Sequence, residues 1–291
     1  MRNEEEMLKL IVDVAQKDDR ILAAYMNGSR TNKKIKKDIF QDYDIVYVVK
    51  QNRPFYEDQT WIDVFGERLY MQCPDEVDAS NGIERNFDEC YGWLMQFKDG
   101  NRLDLRIMPK GKENILEDKL CIVLLDPDKI LPDMPEPTDA DYRIKKPTQH
   151  EFSAACNEFW WCLNNVAKGL WREEIPYVHN MLYNGSHPEL VKLLNWKIGY
   201  DTDFRVSTGK ASKNMNQWLS RDRWERFLKT YANGNVNDIW DSVHIMCDLF
   251  HEVAHELESY DGLQYNSEEA EAGYLFLKHV QMLPKDAKEI Y

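Results

Sequence analysis

Apolar residues recur along this chain with two different periods, and the change from one to the other divides it. Residues 4–17 carry Met7, Leu8, Leu10, Ile11, Val14 and Ala15 at three- and four-residue spacing, which predicts an amphipathic opening helix. ILAAYM (21–26) reads as a strand stopped by Asn27-Gly28-Ser29, and a basic loop, RTNKKIKKD, leads into a second strand at 43–49. Residues 57–65 are expected to form a helix and RLYMQC (68–73) a strand. YGWLMQFKDGNRLDLRIM (91–108) is a hairpin signal, two alternating runs around Asp99-Gly100-Asn101, where a turn favours positive φ. CIVLLD (121–126) closes the strand-rich half.

Prolines 127, 132, 135, 137 and 147 then mark a linker. Beyond it the period becomes helical over 149–172, 174–184, 187–197, 215–233 and 235–260, with a polar interruption from Gly199 to Lys213. No repeat or low-complexity tract is visible. The expected layout is an α+β domain over 1–138 followed by an all-helical bundle over 139–291.

A chain of 291 residues suits two domains better than one core. Its formal net charge of -14 argues against nucleic acid as a partner and suits a cationic small molecule. The six cysteines form no CxxC pair and sit mostly among apolar neighbours, as reduced core thiols do. The acidic N-terminus lacks the apolar run of a signal peptide, and no stretch is long enough to span a membrane. These features lead to the expectation of a cytoplasmic protein without membrane partners, monomeric or dimeric.

The chemistry concentrates around QDYDIVYVV (41–49). Asp42 and Asp44 sit two apart at the start of a strand, so both project from one face. Two adjacent carboxylates repel unless a positive charge lies between them, and a divalent cation is the simplest such partner. Upstream, Gly28-Ser29 follows a strand and offers a hydroxyl, backbone N–H groups and close approach to phosphate oxygens. Downstream, Asp104 faces away from Leu103 and Leu105 in the second arm of the hairpin. Three carboxylates on neighbouring strands can hold two Mg²⁺ ions about 4 Å apart, the clamp for in-line displacement at phosphorus. Asp126-Pro-Asp128, Asp139-Ala-Asp141 and Asp201-Thr-Asp203 lack the upstream Gly-Ser and the following apolar strand.

This arrangement resembles the nucleotidyltransferase superfamily that includes DNA polymerase β, with Gly-Ser, a gap, an Asp-x-Asp strand and a third carboxylate on a later strand. AYMNGSRTN, DIFQDYDIVYVV, RLDLRIMP, EFWWCLNNVAKGLWREE and GYDTDFRVSTGKASK together are similar to the aminoglycoside 6-adenylyltransferases, which modify streptomycin. The resemblance implies a mixed-sheet catalytic domain and a helical domain covering the acceptor. It also implies Mg²⁺-dependent transfer of AMP from ATP to the 6-hydroxyl of streptidine, with loss of pyrophosphate and resistance as the outcome. In that reading Gly28 and Ser29 hold the triphosphate, Asp42 and Asp44 bind Mg²⁺, and Asp104 is both a metal ligand and the general base. Arg30, Lys168, Lys210 and Lys213 are candidate phosphate contacts, although loop lysines often serve only solubility. Glu158, Trp160, Trp161, Trp171, Glu173, Glu174, Asp201 and Asp203 are candidates for the guanidinium groups of the acceptor, by carboxylate pairing and aromatic faces. The same chemistry on another hydroxyl, small-molecule or protein, is an alternative. A silent nucleotide-binding module of the antitoxin kind is a second, disfavoured by the third aspartate.

His251-Glu252-Val253-Ala254-His255 matches the HExxH pattern of zinc proteases. Its metzincin continuation fails at Glu258, and no ligand residue follows at a fitting spacing except the early glutamates of the next helix (268, 269 and 271).

Overall fold

The computed structural model describes residues 1–260 and 262–291, and the chain separates into two compact units, Met1–Asp141 and Tyr142–Tyr291. The first unit opens with helix α1, Glu4–Lys17, whose start is set by Asn3: its side chain accepts from the Glu6 amide while Glu6 reaches back to the Asn3 amide. Strands β1 (Ile21–Asn27) and β2 (Tyr43–Val49) follow, then a short helix α2 (Arg53–Glu57), β3 (Arg68–Gln72), α3 (Pro74–Ser80), β4 (Tyr91–Phe97), β5 (Arg102–Pro109) and β6 (Cys121–Leu125). The strands form one six-stranded sheet in the order β3-β4-β5-β2-β1-β6. Only β2 and β5 run parallel; the other four pairings are antiparallel, so the sheet is mixed.

Two local expectations change. The segment 57–65 is a turn of α-helix ending at Glu57 and a 3-10 stretch over Gln59–Phe65, because Pro54 starts the helix early and Asp58 leaves it in extended conformation to cap Thr60. Helix α3 escaped the periodic reading because it is all surface: none of its residues is buried, and Pro74, Asp75 and Glu76 alone announce it.

Alternation along β2 gives the sheet two unequal faces. Tyr43, Ile45, Tyr47 and Val49 join Met7 and Ile11 of α1 with Trp93, Leu103 and Leu105 in the larger core. Val46 and Val48 point the other way, into a smaller cluster with Ala23, Tyr25, Ile115, Cys121 and Leu131. Asp42 and Asp44 share the parity of Val46 and Val48, so they stand on the less covered face. The hairpin turn lies where Asp99-Gly100-Asn101 places it, with Gly100 at φ +90°.

The second unit is helical throughout: α4 (Gln149–Arg172), α5 (Ile175–Met181), α6 (His187–Asp201), α7 (Arg221–Leu228), α8 (Val236–Glu258) and α9 (Ser267–Met282). A capping box of Thr148 and Glu151 starts α4, whose Phe159 stacks on Phe250 of α8 at 3.7 Å between ring centroids. The periodic stretch 215–233 is shorter than its pattern: Ser220 caps a new helix at Arg221, and Met215–Gln217 is only a 3-10 turn. Between α5 and α6 the chain passes through one wide π turn, Leu182–Ser186, rather than a break. All six cysteines are free thiols. Among the described residues, no helix is long and apolar enough to cross a membrane.

Candidate active site

The parallel pairing of β2 with β5 sets Asp44 directly opposite Asp104, and the antiparallel pairing of β1 with β2 sets Asn27 opposite Asp44. Neighbours in register project to the same face, so Asp44 and Asp104 stand side by side, and Asp42 joins them from two residues upstream. One carboxylate oxygen from each lies within 4.8 Å of the others. Among the described residues, no other group of three or more metal-ligating side chains comes so close.

The electrostatics of this cluster are strained. Burial, and then the charges of Asp42 and Asp104, push the Asp44 carboxyl up to about 6, while Arg102 and Arg106 pull the other way. Arg102 shares the face of Asp104 on β5. Its Nε and Nη2 donate to the two Asp104 oxygens at 2.7 and 2.7 Å, and its Nε stands 3.9 Å from Asp42 Oδ2. One guanidinium thus offsets part of a triple negative charge. Sequence reasoning missed Arg102, although the alternation of Arg-Leu-Asp-Leu-Arg (102–106) places it on the aspartate face. Hard carboxylate oxygens at this spacing could hold Mg²⁺, and the excess negative charge around Asp44 is what a divalent cation would relieve.

Gly28 borders the cluster from the end of β1. Its backbone, φ +81° and ψ -160°, lies in a region open only to glycine, and a β-carbon there would be driven into Asp44 Oδ2. The Gly28 amide donates to the Leu120 carbonyl at 3.0 Å, and its carbonyl accepts from the Thr31 amide and hydroxyl. The expectation of a free Gly28 N–H therefore fails: glycine contributes room, not a donor. No helix proper follows; Ser29–Thr31 is a single 3-10 turn, with the Ser29 hydroxyl 3.5 Å from Gln41 Nε2.

Arg30 is turned inward. Its Nε and Nη2 donate to the carbonyls of Asp42 and Gln41 at 2.9 and 2.6 Å, its guanidinium lies 3.8 Å from the Tyr43 ring centroid, and Nη1 is 3.4 Å from Glu4. With its side chain only 6% exposed, it ties the loop before β2 to α1 rather than presenting charge to a phosphate. The physical reason is that two main-chain carbonyls, a carboxylate and an aromatic face outbid solvent for one guanidinium.

The remaining candidates belong to the second unit, and each has its own setting. Glu158 and Trp161 lie exposed on α4, Glu158 accepting from the Cys162 thiol at 3.1 Å and Trp161 being 65% exposed. Trp160 is buried and donates to Tyr265 Oη, and Trp171 packs on the core with its Nε1 donating to the Leu283 carbonyl; both tryptophans are structural. Glu173 is the left-handed C-cap of α4 and pairs with Lys285, and Glu174 is the exposed residue before α5. Asp201, at the end of α6, takes two bonds of 2.6 Å from Lys197, so its charge is already met. Asp203 is exposed beside Arg205. Lys168 is half-buried on α4, whereas Lys210 and Lys213 are exposed on the loop after α6.

That loop carries a signal absent from the sequence. Asp203, Phe204, Ala211 and Ser212 all adopt positive φ without being glycine. The strain is held in place by buried Thr208, which donates to Asn195 at 2.6 Å, and by Asn195, which donates to Ser212 at 2.9 Å.

The sequence matches the family described as streptomycin adenylyltransferase over residues 1–280. It is 37% identical over 267 residues to an aminoglycoside 6-adenylyltransferase of Campylobacter jejuni, covering 91% of each chain. It is 34% identical over 276 residues to one of Bacillus subtilis (strain 168), covering 94% of this chain and 95% of that one. The crystal structure of an aminoglycoside 6-adenyltransferase from Bacillus subtilis aligns with a TM-score of 0.48 at 28% identity, covering 97% of this chain and 100% of that one. With a family match across nearly its whole length and relatives of this identity and coverage, the chain belongs to the streptomycin adenylyltransferase family and is a nucleotidyltransferase.

Proposed function

We propose that this enzyme transfers AMP from ATP to a hydroxyl of a cationic aminoglycoside, the 6-hydroxyl of the streptidine ring of streptomycin, and releases pyrophosphate. The observation that carries the reading is the convergence of Asp42, Asp44 and Asp104 beside Gly28, on a chain whose relatives are named for this chemistry. Asp42, Asp44 and Asp104 would hold two Mg²⁺ ions, which supply electrostatic stabilisation to the oxygens around the α-phosphorus and the departing pyrophosphate.

In the reaction the acceptor oxygen forms a bond to the α-phosphorus, the bond from that phosphorus to the bridging oxygen breaks, and pyrophosphate carries away the electron pair. The acceptor's proton passes to a carboxylate oxygen of Asp104. Both Asp104 oxygens are held by Arg102, so Arg102 must yield one of them, and its freed nitrogen is then available to the phosphate charge beside it. Gly28 leaves the room that lets the Asp44 carboxylate stand against the end of β1, and Ser29 offers its hydroxyl to the triphosphate. Arg30 keeps Asp42 in position through its main-chain carbonyl.

The test is pyrophosphate release from ATP and Mg²⁺ across a panel of aminoglycosides. Release with streptomycin alone supports the acceptor; release with a different member replaces it; silence with every member refutes the reading.

A further inference from the structure

The histidines of the HExxH match lie on α8 of the helical unit and take no part in the aspartate cluster. His251 and His255 lie one turn apart on α8, and their Nε2 atoms are 3.1 Å from each other. Their outer nitrogens are both anchored: His255 Nδ1 is 2.7 Å from Glu258 Oε2, and His251 Nδ1 is 3.2 Å from Tyr265 Oη. Each anchor is itself fixed. Glu258 Oε1 accepts from the Tyr265 amide at 2.9 Å, and Tyr265 Oη accepts from Trp160 Nε1 at 3.0 Å within the core. For a neutral pair the bonds run one way, from Trp160 to Tyr265 to His251 to His255 to Glu258.

We propose that His251 and His255 form a bidentate site for a borderline divalent transition-metal ion of the Zn²⁺ class. Two nitrogens 3.1 Å apart, each about 2.0–2.1 Å from a shared ion, subtend roughly 98°, between octahedral and tetrahedral angles. Carboxylate and phenol partners on the outer nitrogens are the supports that orient imidazole toward a metal. On binding, His251 shifts its proton from Nε2 to Nδ1, which then donates to Tyr265 Oη as the Tyr265 hydroxyl rotates away from His251, and no net proton is lost. The side chain of His255 is 43% exposed, so an ion reaches the pair directly, with water filling its remaining positions.

The site is a binding site and not a peptidase. Glu252, the general base of the protease pattern, is committed to Arg223 at 2.7 Å and Arg226 at 2.5 Å. It cannot activate a water on the histidine face.

Metal-free full-length protein is titrated with Zn²⁺ in a calorimeter, in buffer whose excess Mg²⁺ occupies carboxylate sites. One equivalent is expected, with a Zn²⁺-dependent rise in melting temperature. H255A, at an exposed position, keeps the fold and loses the site; E258Q keeps both donors and weakens binding about tenfold. D44N binds Zn²⁺ as wild type does, which separates this site from the aspartate cluster. Absence of Zn²⁺ binding in wild type, or unchanged affinity in H255A, overturns the proposal. A sulfur-to-metal charge-transfer band with Co²⁺ overturns it too, by assigning the ion to a thiol.

Discussion

Replacing Asp44 by Asn should make the metal-free protein more stable while abolishing its activity. Asn is isosteric with Asp but uncharged, and its amide can donate to the neighbouring carboxylates of Asp42 or Asp104. In the folded protein the Asp44 carboxyl is pushed up to about 6 from an ordinary value of 3.8, first by burial and then by those two neighbours. A carboxyl whose pKa is raised by folding contributes stability below the unfolded value and loses it as pH rises through the folded one. At pH 7.5 that loss is complete. The shift of about two units corresponds to about 3 kcal/mol at 1.36 kcal/mol per unit, or 2–3 kcal/mol for a group that retains some solvent contact. For a unit of this size the gain in the variant is about 6–12 °C in melting temperature.

The measurement is thermal and urea unfolding of both proteins in chelator at pH 7.5 and again near pH 3.5. The Asn variant should lead at pH 7.5 and lose most of that lead at the lower pH, where the wild-type carboxyl is protonated in the folded state and mostly so in the unfolded one. Mg²⁺ should then raise the wild type alone, by about 2.7 kcal/mol at a hundredfold excess over its dissociation constant. A variant no more stable than wild type in chelator at pH 7.5 would refute the claim that the cluster is held together against its own charge.

Other substitutions probe the neighbours of that cluster. Gly28→Ala places a side chain in a glycine-only backbone region and against Asp44; unfolding should show a loss of about 3 kcal/mol, and pyrophosphate release should cease. Asp104→Asn should leave ATP affinity near wild type and remove turnover, read by nucleotide binding beside steady-state kinetics; wild-type rates would dismiss it as the base. Arg30→Ala should cost about 2–3 kcal/mol through two lost charged hydrogen bonds and should weaken Mg²⁺ binding by loosening Asp42, measured by Mg²⁺-dependent thermal shift. In the helical unit, burial lowers His187 to about 4, with its Nε2 bonded to Thr230 Oγ1 at 3.0 Å. Its neutral form stabilises the fold above pH 6.5, and roughly 3 kcal/mol should be lost as pH falls from 6.5 to 4; His187→Gln should flatten that slope in urea titrations.

Much of the site is readable because its elements carry local signatures. Strand alternation puts Asp42 and Asp44 on one face of β2 and Asp104 opposite Leu103 and Leu105 on β5, whatever the strands pair with. A Gly-Ser stop and an Asp-Gly-Asn hairpin turn are likewise local, since positive φ is a property of one residue. Helix α3, with no buried face, left the period nothing to register.

What the chain determined by itself is which side chains share a face and where each element starts; what the tertiary structure alone decided is which faces meet and which charges find partners. The parallel pairing of β2 and β5 brings Asp44 and Asp104 into register across a long sequence separation, and no local pattern encodes that choice. The sequence singled out Arg30 for phosphate and passed over Arg102. One is drawn inside by two carbonyls and an aromatic ring, and the other lies across the aspartates, because an arginine's role is set by the acceptors that folding places around it.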